Sequence, residues 1–135
     1  AAMTRRPPPF AVGDELEPRT IGPITKTDIV RFAGAGGDFN PLHHDEDYAR
    51  AAGLPGIIAM GQLQAGLLAS WIADVAGVEN LLSYSVRFTS PLAVGETLTL
   101  SGTVTTADGD VIGLDLSAKA ADRVVVSGKA RIRTR

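Results

Sequence analysis

From Leu82 onward, apolar and polar residues alternate with a period of two, the signature of strands with one buried face. Tyr84, Val86 and Phe88 alternate with Ser85, Arg87 and Thr89, and Leu98, Leu100 and Val104 alternate with threonines and Ser101. Ile112, Leu114, Leu116, Ala118 and Ala120 oppose Asp115, Ser117 and Lys119, while Val124, Val126, Ala130 and Ile132 oppose Ser127, Lys129, Arg131 and Arg133. With turns at Pro91–Gly95, Ala107–Asp110 and Ala121–Arg123, the pattern predicts an antiparallel meander of four strands. The Lys129, Arg131, Arg133 stripe reads as a solvated sheet face.

The segment Gly61 to Gly77 follows a different period. Leu63, Leu67, Leu68, Trp71, Ile72 and Val75 recur at helical spacing, Ala65, Gly66, Ala69, Ser70 and Ala73 fill the other side, and Asp74 alone is charged. A helix about 25 Å long, apolar on one face and small on the other, is expected to be buried nearly all round. It is the element long and apolar enough to lie under the sheet, so the expectation is an α+β fold in which a curved antiparallel sheet wraps a central helix. Upstream, residues 15–24 read as a first strand. Thr25-Lys26-Thr27-Asp28 reads as a capping-box start to a helix over about 26–34, ended by Gly34, Gly36 and Gly37. Asp45-Glu46-Asp47 opens a further short helix closed by Gly53.

Composition narrows the function classes. The chain is 135 residues long, enough for one domain that buries roughly two thirds of its unfolded surface. Thirteen basic against fifteen acidic side chains give no basic footprint, so no nucleic-acid partner is expected. No cysteine is present, which removes disulfides and thiolate chemistry and fits a cytoplasmic location. Ala1 and Ala2 ahead of Met3 read as an expression scar on a flexible arm over 1–9, with a single domain over 10–135. No apolar run follows Arg5-Arg6 and Pro7-Pro8-Pro9, and the longest apolar stretch is interrupted by glycine and glutamine. Neither a secretory signal nor a membrane span is expected.

The candidate chemistry lies in Asp38-Phe39-Asn40-Pro41-Leu42-His43, which with Gly34, Gly36 and Gly37 just upstream makes a stretch too rich in glycine and proline to be helical. Pro41 fixes its own φ and pushes Asn40 out of the α region, so the chain between the carboxylate and the imidazole has few shapes to choose from. Asp38 and His43 converging on one water would add it to a double bond or remove it. Asp38 and Asn40 also suit an Asx-type turn after a helix, and residue types alone leave both readings open. His43-His44 beside Asp45 gives no expected metal site, since adjacent residues seldom point at one ion and no distal cluster completes a shell.

The segments Gly37-Asp38-Phe39-Asn40-Pro41-Leu42-His43, Ile58-Ala59-Met60-Gly61 and Val86-Arg87-Phe88-Thr89-Ser90-Pro91-Leu92 with Gly95-Glu96 resemble the MaoC-like, R-specific enoyl-CoA hydratase family of hot-dog folds, over about residues 10 to 135. The resemblance implies that Asp38 and His43 are the catalytic pair, that Asn40 orients the loop or the water, and that the Gly61 N–H binds the thioester oxygen. Met60 stands beside Gly61 where family members often carry His. The implied activity is R-specific enoyl-thioester hydration, or dehydration of a 3-hydroxyacyl thioester, on CoA or acyl-carrier-protein substrates. The implied assembly is a homodimer, or a heterodimer with another hot-dog subunit, with no cofactor. A non-catalytic acyl-binding partner subunit and a hot-dog thioesterase are the alternatives on this fold.

Overall fold

A computed structural model describes residues 10–134. The arm expected over 1–9 lies outside the described residues. In chain order the elements are strand β1 (Arg19–Ile21), helix α1 (Lys26–Gly36), a 3₁₀ turn (Pro41–His43), helix α2 (Glu46–Ala51), helix α3 (Gly61–Ala76), a second 3₁₀ turn (Val78–Asn80), and strands β2 (Leu81–Phe88), β3 (Leu98–Asp108), β4 (Val111–Ala120) and β5 (Arg123–Arg133).

The strands form one antiparallel sheet in the order β1-β3-β4-β5-β2. The expected meander holds for β3, β4 and β5, but β2 pairs with β5 rather than with β3. The link from β2 to β3 makes no hairpin because its polar groups are used elsewhere. The Ala59 N–H donates to the Leu92 carbonyl at 2.8 Å and the Val94 N–H to the Ile57 carbonyl at 3.0 Å, so the link runs beside the approach to α3.

The first strand is shorter than expected. Pro18 and Pro23 bracket β1, and neither has an N–H to give to a ladder; Glu15 contributes an isolated bridge to Thr103. On β5 the expected alternation slips: Val125 and Val126 are both buried, and the register with β4 shifts between Ala118 and Lys119. A bulge there turns two successive side chains inward.

Helix α3 packs Leu68, Trp71 and Ile72 against the apolar face of the sheet, where Leu100, Leu114, Leu116 and Ile132 are buried. Gly102 makes room for it: a Cβ at that position would meet Leu116 at 3.0 Å and the Trp71 ring at 3.4 Å. This is the wrapped-helix arrangement expected of a hot-dog fold. Burial all round was not found, however. Gln62, Gly66 and Ser70, successive turns of one face, stand exposed because the sheet of a single chain covers α3 on one side only. Tyr84 on β2 fastens the helix by donating its hydroxyl to the Ala65 carbonyl at 2.7 Å, and burial pushes that phenol up to about 12.

Candidate active site

Helix α1 aims the loop. Its capping box is complete, Thr25 and Asp28 each accepting from the other's backbone N–H, and the Thr25 N–H holds the Asp28 carboxyl below its ordinary value. The helix runs through Gly34 and Gly36, two residues beyond the expected end, because its stop needs the left-handed conformation that Gly37 adopts (φ +72°). The Asp38 N–H then donates to the Ala33 carbonyl at 2.9 Å, fixing where the Asp38 side chain starts.

The next residues, expected to be a constrained non-helical loop, form a 3₁₀ turn. Pro41 opens it with a fixed φ and no N–H to satisfy, and Asn40 caps it by accepting from the Leu42 N–H at 3.1 Å. That turn carries His43 into the interior, 6% exposed. The imidazole Nδ1 donates to the Ile58 carbonyl at 2.8 Å, since a carbonyl can only accept. Nε2 is thereby turned toward Asp38, whose Oδ2 lies 3.2 Å away. Asp38 Oδ1 accepts from the Asn40 N–H at 3.3 Å. The carboxylate–imidazole contact and the Asx-turn geometry thus coexist, one oxygen serving each. His44 Nε2 lies instead 3.3 Å from the Phe39 carbonyl, so the adjacent imidazoles diverge. Among the described residues no group of three or more His, Asp or Glu side chains is placed to share a cation.

Asp38 and His43 open onto a cavity of about 850 Å³, which Met60 and Gly61 also line. Of the residues singled out in the sequence, Asp38, His43, Met60 and Gly61 meet there; Asn40 does not, being exposed with its side-chain oxygen on the loop. Gly61 is the first residue of α3, and that helix begins without a side-chain cap. Gly61 lines the cavity, so the start of α3, where the helix dipole is positive, lies at the cavity wall. A Cβ on Gly61 would come within 2.9 Å of the half-exposed Phe88 ring, so a side chain there would have to displace that ring.

The opposite wall, Thr89 to Pro91, is clamped by Arg123. Its guanidinium donates to the Pro91 carbonyl (3.0 Å), Ser90 Oγ (3.1 Å) and Glu96 Oε1 (2.7 Å). This contact holds the Glu96 carboxyl below the usual carboxylate range, with the Ala93 N–H at 2.8 Å assisting. Glu96 in turn holds the Arg123 guanidinium above its ordinary value.

Gln64 escaped the sequence reading. It lies on α3 one turn past Gly61, lines the same cavity, is 2% exposed, and its Oε1 has no hydrogen-bond partner among the described residues. The signal was a polar residue four positions before Leu68 and seven before Trp71, on the apolar stripe itself.

Residues 9–120 match the family described as MaoC like domain. The chain belongs to that family. The (R)-specific enoyl-CoA hydratase of Rhodospirillum rubrum is 31% identical to this MaoC-like chain over 113 residues, 81% of the chain and 78% of that protein. Among solved structures, R-hydratase PhaJ1 from Pseudomonas aeruginosa superposes with a TM-score of 0.82 at 29% identity, covering 92% of this chain and 81% of that one. A chain of the ChsH1-ChsH2 complex from Mycobacterium tuberculosis superposes with a TM-score of 0.82 at 28% identity, covering 93% and 98%.

Proposed function

We propose that this MaoC-like protein is an R-specific enoyl-thioester hydratase, a hydro-lyase that adds water across trans-2-enoyl-CoA or acyl-carrier-protein thioesters and runs in reverse as a 3-hydroxyacyl-thioester dehydratase. The observation that carries the reading is the contact at 3.2 Å between Asp38 Oδ2 and His43 Nε2, on a cavity that also receives the uncapped start of α3.

The reaction requires a base for water, a donor for the carbonyl oxygen and a proton for C2. Asp38 takes one proton from water as its oxygen bonds to C3. Charge then develops on the thioester oxygen, and the Gly61 N–H and helix dipole favour it there. His43, fixed by the Ile58 carbonyl, gives the proton on Nε2 to C2. Asp38 is left protonated and His43 neutral, and one proton crossing the 3.2 Å between them restores the site. Delivery of both groups from one wall makes the addition syn, and the likeness to an (R)-specific hydratase supports a 3R product. The sum is H and OH added across C2=C3 with no electrons transferred, so the proposed reaction calls for no cofactor. Each positioned proton transfer supplies about 10²–10⁴ in rate. Met60, buried beside Gly61, lines the thioester end, and Asn40 sets the turn that carries His43.

A thioesterase reading would need a carboxylate on α3 facing the carbonyl. The acidic residue of that helix, Asp74, sits near its far end and accepts from Arg19 at 2.9 Å. A silent partner subunit has no use for the Asp38–His43 contact.

The proposed assembly is a homodimer. The exposed strip Gln62, Gly66, Ser70 on α3 and the sheet edge formed by β2 supply a surface that a second hot-dog chain would cover, and a heterodimer is the alternative assembly. Light scattering at micromolar concentration is expected to give the mass of two chains; the mass of one would count against pairing. Among the described residues no helix is long and apolar enough to cross a membrane. The absence of cysteine supports a cytoplasmic site of action.

The activity is tested by incubating the protein with trans-2-enoyl-CoA thioesters of increasing chain length. Loss of enoyl absorbance with formation of the 3R-hydroxyacyl product is expected. No hydration of any of them, or a 3S product, would overturn the reading.

A further inference from the structure

A water attacking C3 has four directions to satisfy. One proton goes to Asp38, one lone pair accepts from His43 Nε2, and the other lone pair forms the bond to C3. The second proton, which stays behind as the hydroxyl hydrogen of the product, needs an acceptor of its own inside the cavity.

Most polar side chains on the cavity wall are already committed. The Thr89 and Ser90 hydroxyls donate to the Val124 carbonyl at 2.7 and 2.9 Å, and Ser90 Oγ also accepts from Arg123. Asn40 is exposed and spends its side-chain oxygen on the Leu42 N–H, and Gln62 is exposed. Gln64 differs from all of these: it is 2% exposed, helps line the cavity that Asp38, His43 and Gly61 also line, and has an unpartnered, buried side-chain oxygen. An interior acceptor without a partner destabilises the fold, and an apolar residue of similar size would avoid that cost. Its place three residues after Gly61 puts it on the same helix face, one turn along from the thioester oxygen's expected donor.

We infer that Gln64 Oε1 holds the second proton of the reacting water, and hence the hydroxyl of the 3R-hydroxyacyl product. The inference rests on the hydratase reading and deepens it. Gln64 discriminates between acyl groups that carry a hydroxyl at C3 and those that do not, while leaving the thioester end to Gly61.

The test is Gln64→Leu, which keeps bulk and removes the acceptor. Steady-state hydration of trans-2-butenoyl-CoA is measured with two competitive inhibitors, the 3R-hydroxybutanoyl-CoA product and butanoyl-CoA, which lacks the hydroxyl. The variant is expected to lose about tenfold in kcat and about tenfold in affinity for the hydroxyacyl thioester, as for one neutral hydrogen bond. Affinity for butanoyl-CoA should stay within twofold, and Tm should lie at or above the wild-type value, because the unpartnered acceptor has gone. Equal weakening of both inhibitors, or of neither, would overturn the assignment. A changed oligomeric mass with an unchanged inhibitor ratio would also overturn it, because the Gln64 partner would then belong to a second chain. Wild-type protein that hydrates no enoyl thioester would sink the hydratase reading and this inference with it; an active wild type beside an unchanged inhibitor ratio sinks the inference alone.

Discussion

Replacing Glu96 by Gln removes the charge at the centre of the Arg123 clamp while keeping an oxygen for the Ala93 N–H. The Arg123 and Glu96 side chains are 45% and 27% exposed, so solvent screens their attraction. An ion pair of that kind contributes about 0.5–1 kcal/mol rather than the several expected of a buried one. For a chain of this length, that is a loss of roughly 2–5 °C in Tm at pH 7. The pH dependence follows from the direction of the shift. Arg123 holds the Glu96 carboxyl below its ordinary value in the folded protein, so its stabilisation is fully present above the unfolded value and is lost as pH falls through the folded one. Thermal unfolding of wild type and variant at pH 7 and pH 3 is the assay. The gap should be present at pH 7 and shrink toward zero in acid. A gap that is absent at pH 7, or as large at pH 3, would refute the clamp as an electrostatic device. Because Arg123 also holds Ser90 and Pro91, KM is expected to rise in the variant more than kcat falls.

Gly61→Val places a side chain against the Phe88 ring, which is half exposed and free to swing, so stability should change by less than about 1 kcal/mol while hydration falls at least tenfold. Adding Phe88→Ala should not restore turnover; recovery would mean that ring displacement, not blocked access to the Gly61 N–H, caused the loss. Tyr84→Phe removes the hydrogen bond to the Ala65 carbonyl and should cost about 0.5–1.5 kcal/mol by urea unfolding. Since folding raises the Tyr84 phenol to about 12, its contribution is complete below the unfolded value near 10 and is lost as pH rises through 12. Wild type should accordingly lose more stability than the Phe variant over that interval, and parallel losses would count against the assignment.

Features encoded locally were legible in the sequence. The reciprocal hydrogen bonds of Thr25 and Asp28 depend on three-residue spacing alone, and the buried faces of β3 and β4 follow from strict alternation. What β2 pairs with could not be read, because alternation says which face of a strand is buried and nothing about its neighbour. The bulge at Val125 hid for a related reason: two adjacent valines fit either register until the partner strand fixes one. In the site, Pro41 and the preceding glycines announced a constrained loop, but its 3₁₀ form depends on the Asn40 cap and on the ties of Leu42 and His43 to Ile58. Gln64 was obscured by the same stripe that identified the helix, since polar interruptions of an apolar face are easily set aside as surface residues.

The account stands on Asp38 and His43 acting as one proton-handling unit. Asp38→Asn keeps shape and hydrogen bonding while removing the base, and His43→Gln removes the second proton carrier. On trans-2-butenoyl-CoA each is expected to lower kcat at least about a hundredfold with KM little changed, and the double variant should be little worse than either alone, because a unit loses its joint contribution at the first removal. Wild-type turnover in Asp38→Asn, or losses that multiply in the double variant, would contradict it.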